Sequence, residues 1–220
     1  MKDVHPLRSL GIGFTAAAFA LAIVFYSRLP DLVPTHWSVH GVADGFTPKP
    51  WGPFVLPLVM AGVYVLFLAI PAISPRGYRI EPFARVFAIV QASILGFIFF
   101  LNVLVLLAGS GARVDIGRAI TIAFGVLFTV LGNFMGKLTR NFFIGIRTPW
   151  TLTSEEVWLR THRFGAKLFV LGGILVMGAG LAGGEAVWII PTMVVVAVVP
   201  VVYSYVIYRK LEGPTQGSVE

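Results

Sequence analysis

Six apolar stretches, each near the ~20 residues a helix needs to cross a bilayer core, divide this chain into spans and links. They run from Leu10 to Tyr26, Pro53 to Ile73, Phe83 to Leu107, Ile116 to Met135, Lys167 to Gly184 and Ala186 to Tyr208. Only 12% of the residues are charged, about half the ~25% of an average soluble domain. The expected fold is therefore all-α: a polytopic membrane protein with six transmembrane helices.

Lys2 and Arg8 precede the first apolar run, as in a signal peptide, but the run exceeds an ordinary signal core and is read as an uncleaved span. In that span Gly13, Ala16 and Ala20 have the spacing that lets helices approach closely. In the fifth, Gly180 and Gly184 form a GxxxG pair that suggests a packing seam. Pro57 and Pro71 lie near the ends of the second span, and Pro191 and Pro200 are possible kinks in the sixth.

Six crossings place both termini on one side. All of the 17 Lys and Arg except Arg28, Lys49, Arg113 and Arg118 fall on that side. The positive-inside bias then makes it cytoplasmic, giving an N-in/C-in topology. It also accounts for the net charge of +7 without nucleic acid, and no direct nucleic-acid partner is expected. The 27–52 loop faces outward, the 136–166 loop faces the cytoplasm, and the 213–220 tail is expected to be disordered.

The residue types exclude several functions. The absence of cysteine removes disulfides and thiolate chemistry. No Asp, Glu, Lys, Arg or His lies at mid-span, where charge is costly and usually reserved for ion pathways. This argues against pumps, proton-coupled carriers and voltage sensors. Gln91, Asn102 and Asn133 are expected to make interhelical hydrogen bonds.

Two polar segments carry the candidate sites. In the outward loop, Pro34 suits a first helical turn and Gly41 a stop, so a short helix is expected from Pro34 to His40. That would place His36 and His40 on one face, with Asp44 folding back toward them. Two His and an Asp are admissible metal ligands, although no H-E-x-x-H occurs. A structured loop with Trp37 at headgroup level, or a surface that docks a peptide or another ligand, fits the same residues. No cofactor is expected apart from a metal there.

In the inner segment, Gly145 and Pro149 punctuate the backbone around Arg147. The guanidinium could pair with Glu155 or Glu156, cap helix carbonyls, or hold a lipid phosphate or a partner's carboxylate. Thr148 and Thr151 can hydrogen-bond nearby groups, and Trp150 and Trp158 suit the headgroup level. Thr153 to Glu156 reads as a capping box that starts an interfacial helix before span 5, with Arg160, His162 and Arg163 on its polar face.

The pattern L-P-x-x-x-P-x-H-W-x-x-x-G-x-x-D-G-x-x-x-K from Leu29 to Lys49 resembles the DUF1648 module of bacterial membrane proteins. It draws together His36, Trp37, Gly41, Asp44, Gly45 and Lys49; His40 lies outside it. The run G-N-F-M-G-K-L-x-R-N-F-F-I-G-I-R-T-P-W-T-L from Gly132 to Leu152 resembles the SdpI family signature, with Asn141, Gly145, Arg147, Thr148, Pro149 and Trp150.

The resemblance implies a DUF1648-like unit over 1–73 and an SdpI-like four-span unit over 74–212, in a bacterial plasma membrane. It also implies a non-enzymatic immunity protein against a secreted peptide toxin, which can double as a receptor holding a transcriptional repressor at the membrane. Its partners would be the lipid bilayer, the toxin outside and the repressor inside. A transporter of a small or lipidic solute, and a metal-assisted membrane enzyme using His36, His40 and Asp44, remain as alternative classes.

Overall fold

The computed structural model describes residues 5–184 and 186–212. Lys2 and the 213–220 tail lie outside the described residues, and so does the side chain of Arg8. The six long helices are α1 (His5–Phe25), α2 (Val55–Ile73), α3 (Ala84–Gly109), α4 (Ile116–Met135), α6 (Glu155–Leu181) and α7 (Ile189–Glu212). A five-residue α5 (Pro149–Thr153) precedes α6, and strands β1 (Leu32–Trp37) and β2 (Ala43–Pro48) follow α1. All six long helices are apolar and long enough to cross a membrane. The protein is a multi-pass membrane protein.

Helix α3 joins two packed groups. On one side, Leu95 meets Ala18 of α1 and Met60 of α2 in a buried cluster. The small residues that matter in α1 are Gly11, Ala18 and Ala22, which are buried, whereas Gly13, Ala16 and Ala20 are exposed. On the other side, α4 and α6 approach almost backbone to backbone. A Cβ on Gly125 would lie 2.5 Å from Met177 N, and one on Gly173 would lie 2.6 Å from Thr129 N. Gly180 belongs to this seam, against Ile122, but Gly184 lies beyond the helix and meets only Ala179 of its own chain. The expected Gly180–Gly184 pair is thus replaced by glycines facing one another across two helices.

The polar groups in the spans behave differently from expectation. Gln91 and Asn102 are buried, but Gln91 Nε2 and Asn102 Nδ2 have no hydrogen-bond partner. Asn133 is exposed rather than interhelical.

The two ends of the helix bundle are distinct. At one, the β1–β2 hairpin packs through Leu29 and Val33 onto Val105 and Leu106 of α3. At the same end, Arg118 Nη2 donates to the Leu181 carbonyl at the close of α6 (2.9 Å). At the other, the 136–154 segment folds over the starts of α3 and α6 and the end of α7.

Candidate functional site

The inner segment is a folded cap built on local hydrogen bonds. Asn141 is fully buried. Its Oδ1 accepts from the Phe143 and Ile144 N–H groups (2.9 and 2.8 Å). Its Nδ2 donates to the Thr139 and Ile144 carbonyls (2.9 and 3.1 Å). One side-chain amide thus satisfies backbone groups that a turn would otherwise leave unpaired.

Gly145 follows with φ +109°, in the left-handed region glycine favours, and a Cβ there would overlap the His162 ring. His162 explains the tight fit. Its Nε2 accepts from Ile146 N–H (3.0 Å), so Nδ1 carries the ring proton and donates to the Trp158 carbonyl (2.9 Å). Trp158 stacks on the same ring, centroids 3.9 Å apart, and its Nε1 donates to the Leu138 carbonyl (2.7 Å). His162, expected on a polar face, is instead buried as a backbone clamp.

Thr148 caps α5. It shares a capping box with Thr151, whose hydroxyl accepts from Thr148 N–H (2.9 Å) and donates to the Ile146 carbonyl (2.9 Å). Pro149 takes the first helical position, where a missing N–H costs nothing. Thr148 Oγ1 also reaches Ser204 of α7 (3.2 Å). Trp150 packs on Tyr205, so its ring braces α7. Arg140 closes the far end of α5 by donating to the Leu152 and Thr153 carbonyls (3.2 and 3.1 Å), its guanidinium over the Tyr78 ring.

Two expectations are corrected here. Ser154, rather than Thr153, caps α6 by accepting from Val157 N–H (3.5 Å). The helix then runs unbroken for 27 residues, about 40 Å at 1.5 Å per residue. Its first turns overshoot the ~30 Å bilayer core, so the helix that starts here is continuous with span 5, and the separate short helix before it is α5. Arg147 is exposed and bonds neither glutamate. Its Nη1 donates to the Phe142 carbonyl (2.5 Å), and Glu156 pairs with Arg160.

Under this cap lies a cavity of about 380 Å³ lined by α2, α3, α4, α6 and residues 143–147. Two further grooves, between α3 and α4 (about 420 Å³) and between α6 and α7 (about 600 Å³), are apolar apart from Ser93 and Thr192 and have no charged residue in their walls.

The outer segment is a hairpin, not the expected Pro34–His40 helix. Its register pairs Val33 with Thr47, Pro34 with Phe46 and His36 with Gly45. Val33, Thr35 and Thr47 favour extended backbone, and Pro34 is tolerated because a two-stranded sheet has only edges. Alternation turns Val33 inward and exposes His36. Gly45 is required opposite His36, since a Cβ would lie 2.7 Å from the His36 Cβ. Gly41 has φ +73° in the turn and rests on the Gly117 backbone at the start of α4.

Lys49 ties the hairpin base to the turn that follows α1, donating to the Leu29 carbonyl (2.8 Å) beside the Tyr26 ring. Trp37 packs on the cluster of Leu29, Val33, Val105 and Leu106. Asp44 does fold back on His36, with Oδ1 2.5 Å from Nδ1. With the strand in place of a helix, the face expected for His36 and His40 does not form. Among the described residues, no three His, Cys, Asp or Glu side chains converge.

Fold and site together define a six-helix membrane protein in which both polar segments are ordered caps on the helix ends. The SdpI/YfhL protein family matches residues 137–204, and the domain of unknown function DUF1648 matches residues 13–61. The chain is 29% identical over 206 residues to "Immunity protein SdpI" of Bacillus subtilis (strain 168), covering 93% of this chain and 97% of that protein. No solved structure matches it. The chain is thus similar to the SdpI family over residues 137–204 and to DUF1648 over residues 13–61, and it is a multi-pass protein of the bacterial plasma membrane.

Proposed function

We propose that the chain is a non-enzymatic immunity protein that protects its host from a secreted peptide toxin. The observation that carries this is the end-to-end match to an immunity protein, 93% of this chain against 97% of the relative. Both polar segments take part in that match rather than the apolar spans alone. The folded hairpin supports the reading, because an extracellular ligand needs an ordered surface to recognise. Leu32, Val42 and Phe46 on that hairpin are exposed and suit an apolar peptide.

The experiment is expression of the full chain in a toxin-sensitive bacterium exposed to a panel of secreted membrane-active peptides. Survival should rise at least tenfold against one of them. Survival equal to an empty vector across the panel overturns the reading.

A second role, holding a transcriptional repressor at the membrane, is favoured by the exposed basic residues at the opposite end, among them Arg76, Arg79 and Arg147. Co-purification of a repressor with the full chain, lost when these three become Ala, is the expected result.

A further inference from the structure

The cavity beneath the inner cap differs in one respect from the grooves between α3 and α4 and between α6 and α7. Those two are lined without a single charged residue. The wall beneath the cap is apolar except at Arg147, whose guanidinium spends one of its five donors on the Phe142 carbonyl. Among the described residues, no carboxylate pairs with it.

Phe67 and Ile70 of α2, Val90 and Ile94 of α3, Leu131 of α4 and Phe169 of α6 line the space. The steps from Leu66 to Ile70 and from Val90 to Ile94 each cover about 6 Å of helix. The cavity therefore runs along the bundle from Arg147 toward mid-membrane. Leu66, also in its wall, is 54% exposed, so the space opens sideways to lipid. An apolar wall facing empty space forfeits dispersion contacts, and a cation beside it selects an anionic head.

We infer that this cavity holds an acyl chain of an anionic phospholipid whose phosphate sits on Arg147. A planar guanidinium presents several donors to phosphate oxygens at once, and the helix ends here lie where headgroups lie. The site is independent of the immunity reading and can fail or stand without it.

The test uses the full chain, purified in mild detergent, delipidated and titrated with phosphatidylglycerol or phosphatidylcholine. Bound lipid is read by native mass spectrometry. One phosphatidylglycerol per chain should bind at least fivefold more tightly than phosphatidylcholine. Arg147→Ala should remove that preference, while Arg209→Ala, an exposed basic residue at the same end outside the cavity wall, should keep it. Ile94→Phe, which narrows the cavity and leaves Arg147 in place, should weaken binding at least fivefold. Equal affinity for the two lipids, or equal losses in Arg147→Ala and Arg209→Ala, overturns the proposal. So does full affinity in Ile94→Phe, even if Arg147→Ala is too unstable to purify.

Discussion

Asn141 sets the inner cap because it is buried and uses both ends of its amide on the backbone around it. Each buried polar group left unpaired costs about 1–3 kcal/mol. Asn141→Ala would strand two N–H groups and leave two carbonyls short of a partner. The expected loss is about 3 kcal/mol, read as a lower unfolding temperature of the detergent-solubilised protein. A variant melting with the parent would mean that the cap does not depend on this side chain. Gly145 and His162 act as a pair: the ring occupies the place of a Cβ and accepts the next N–H. Sequence marks Gly145 as a break, but the partner that demands it stands 17 positions away and is invisible to local pattern.

At the scale of elements, the long helices follow from apolar run length, which is why their boundaries could be drawn within about five residues, except that α6 starts at Glu155, well before the expected Lys167. The short elements follow from contacts instead. Val33, Thr35 and Thr47 favour extended backbone, yet Pro34 and Gly41 satisfy the rules for a brief helix. The hairpin forms because Val33 buries itself on Val105 and Leu106, a tertiary gain that composition does not announce. The same holds for α1, where several small-residue faces are available and packing on Leu95 chooses the one with Gly11 and Ala18.

Asp44 meets His36 as expected, but across a hairpin rather than beside the expected helix, and without His40. Gly45→Val tests the hairpin by itself. Its side chain would collide with the His36 Cβ and break the register. Limited proteolysis should then cut between residues 38 and 50 at least tenfold faster, with the melting temperature of the helical body within a few degrees of the parent. Unchanged cleavage would show that the strands tolerate the side chain.

At the scale of the whole molecule, the even number of spans and the separation of the two caps give the protein two chemically unlike ends. The hairpin end carries Arg28, Lys49, Arg113 and Arg118, with Lys49 and Arg118 spent on the Leu29 and Leu181 carbonyls. The other end carries Arg76, Arg79, Arg140, Arg147, Arg160 and Arg163, and only some of these are matched by carbonyls or glutamates. That asymmetry is what the insertion machinery reads, so the hairpin end should face outward. The chain has no cysteine, and single cysteines can therefore report the orientation without background. Val42→Cys, in an exposed position on the hairpin, should react with a membrane-impermeant maleimide on intact cells. Arg76→Cys, exposed at the other end, should react only after the cells are opened. The reverse pattern would put the hairpin in the cytoplasm, where it could not meet a secreted toxin, and would overturn the orientation and the immunity reading together.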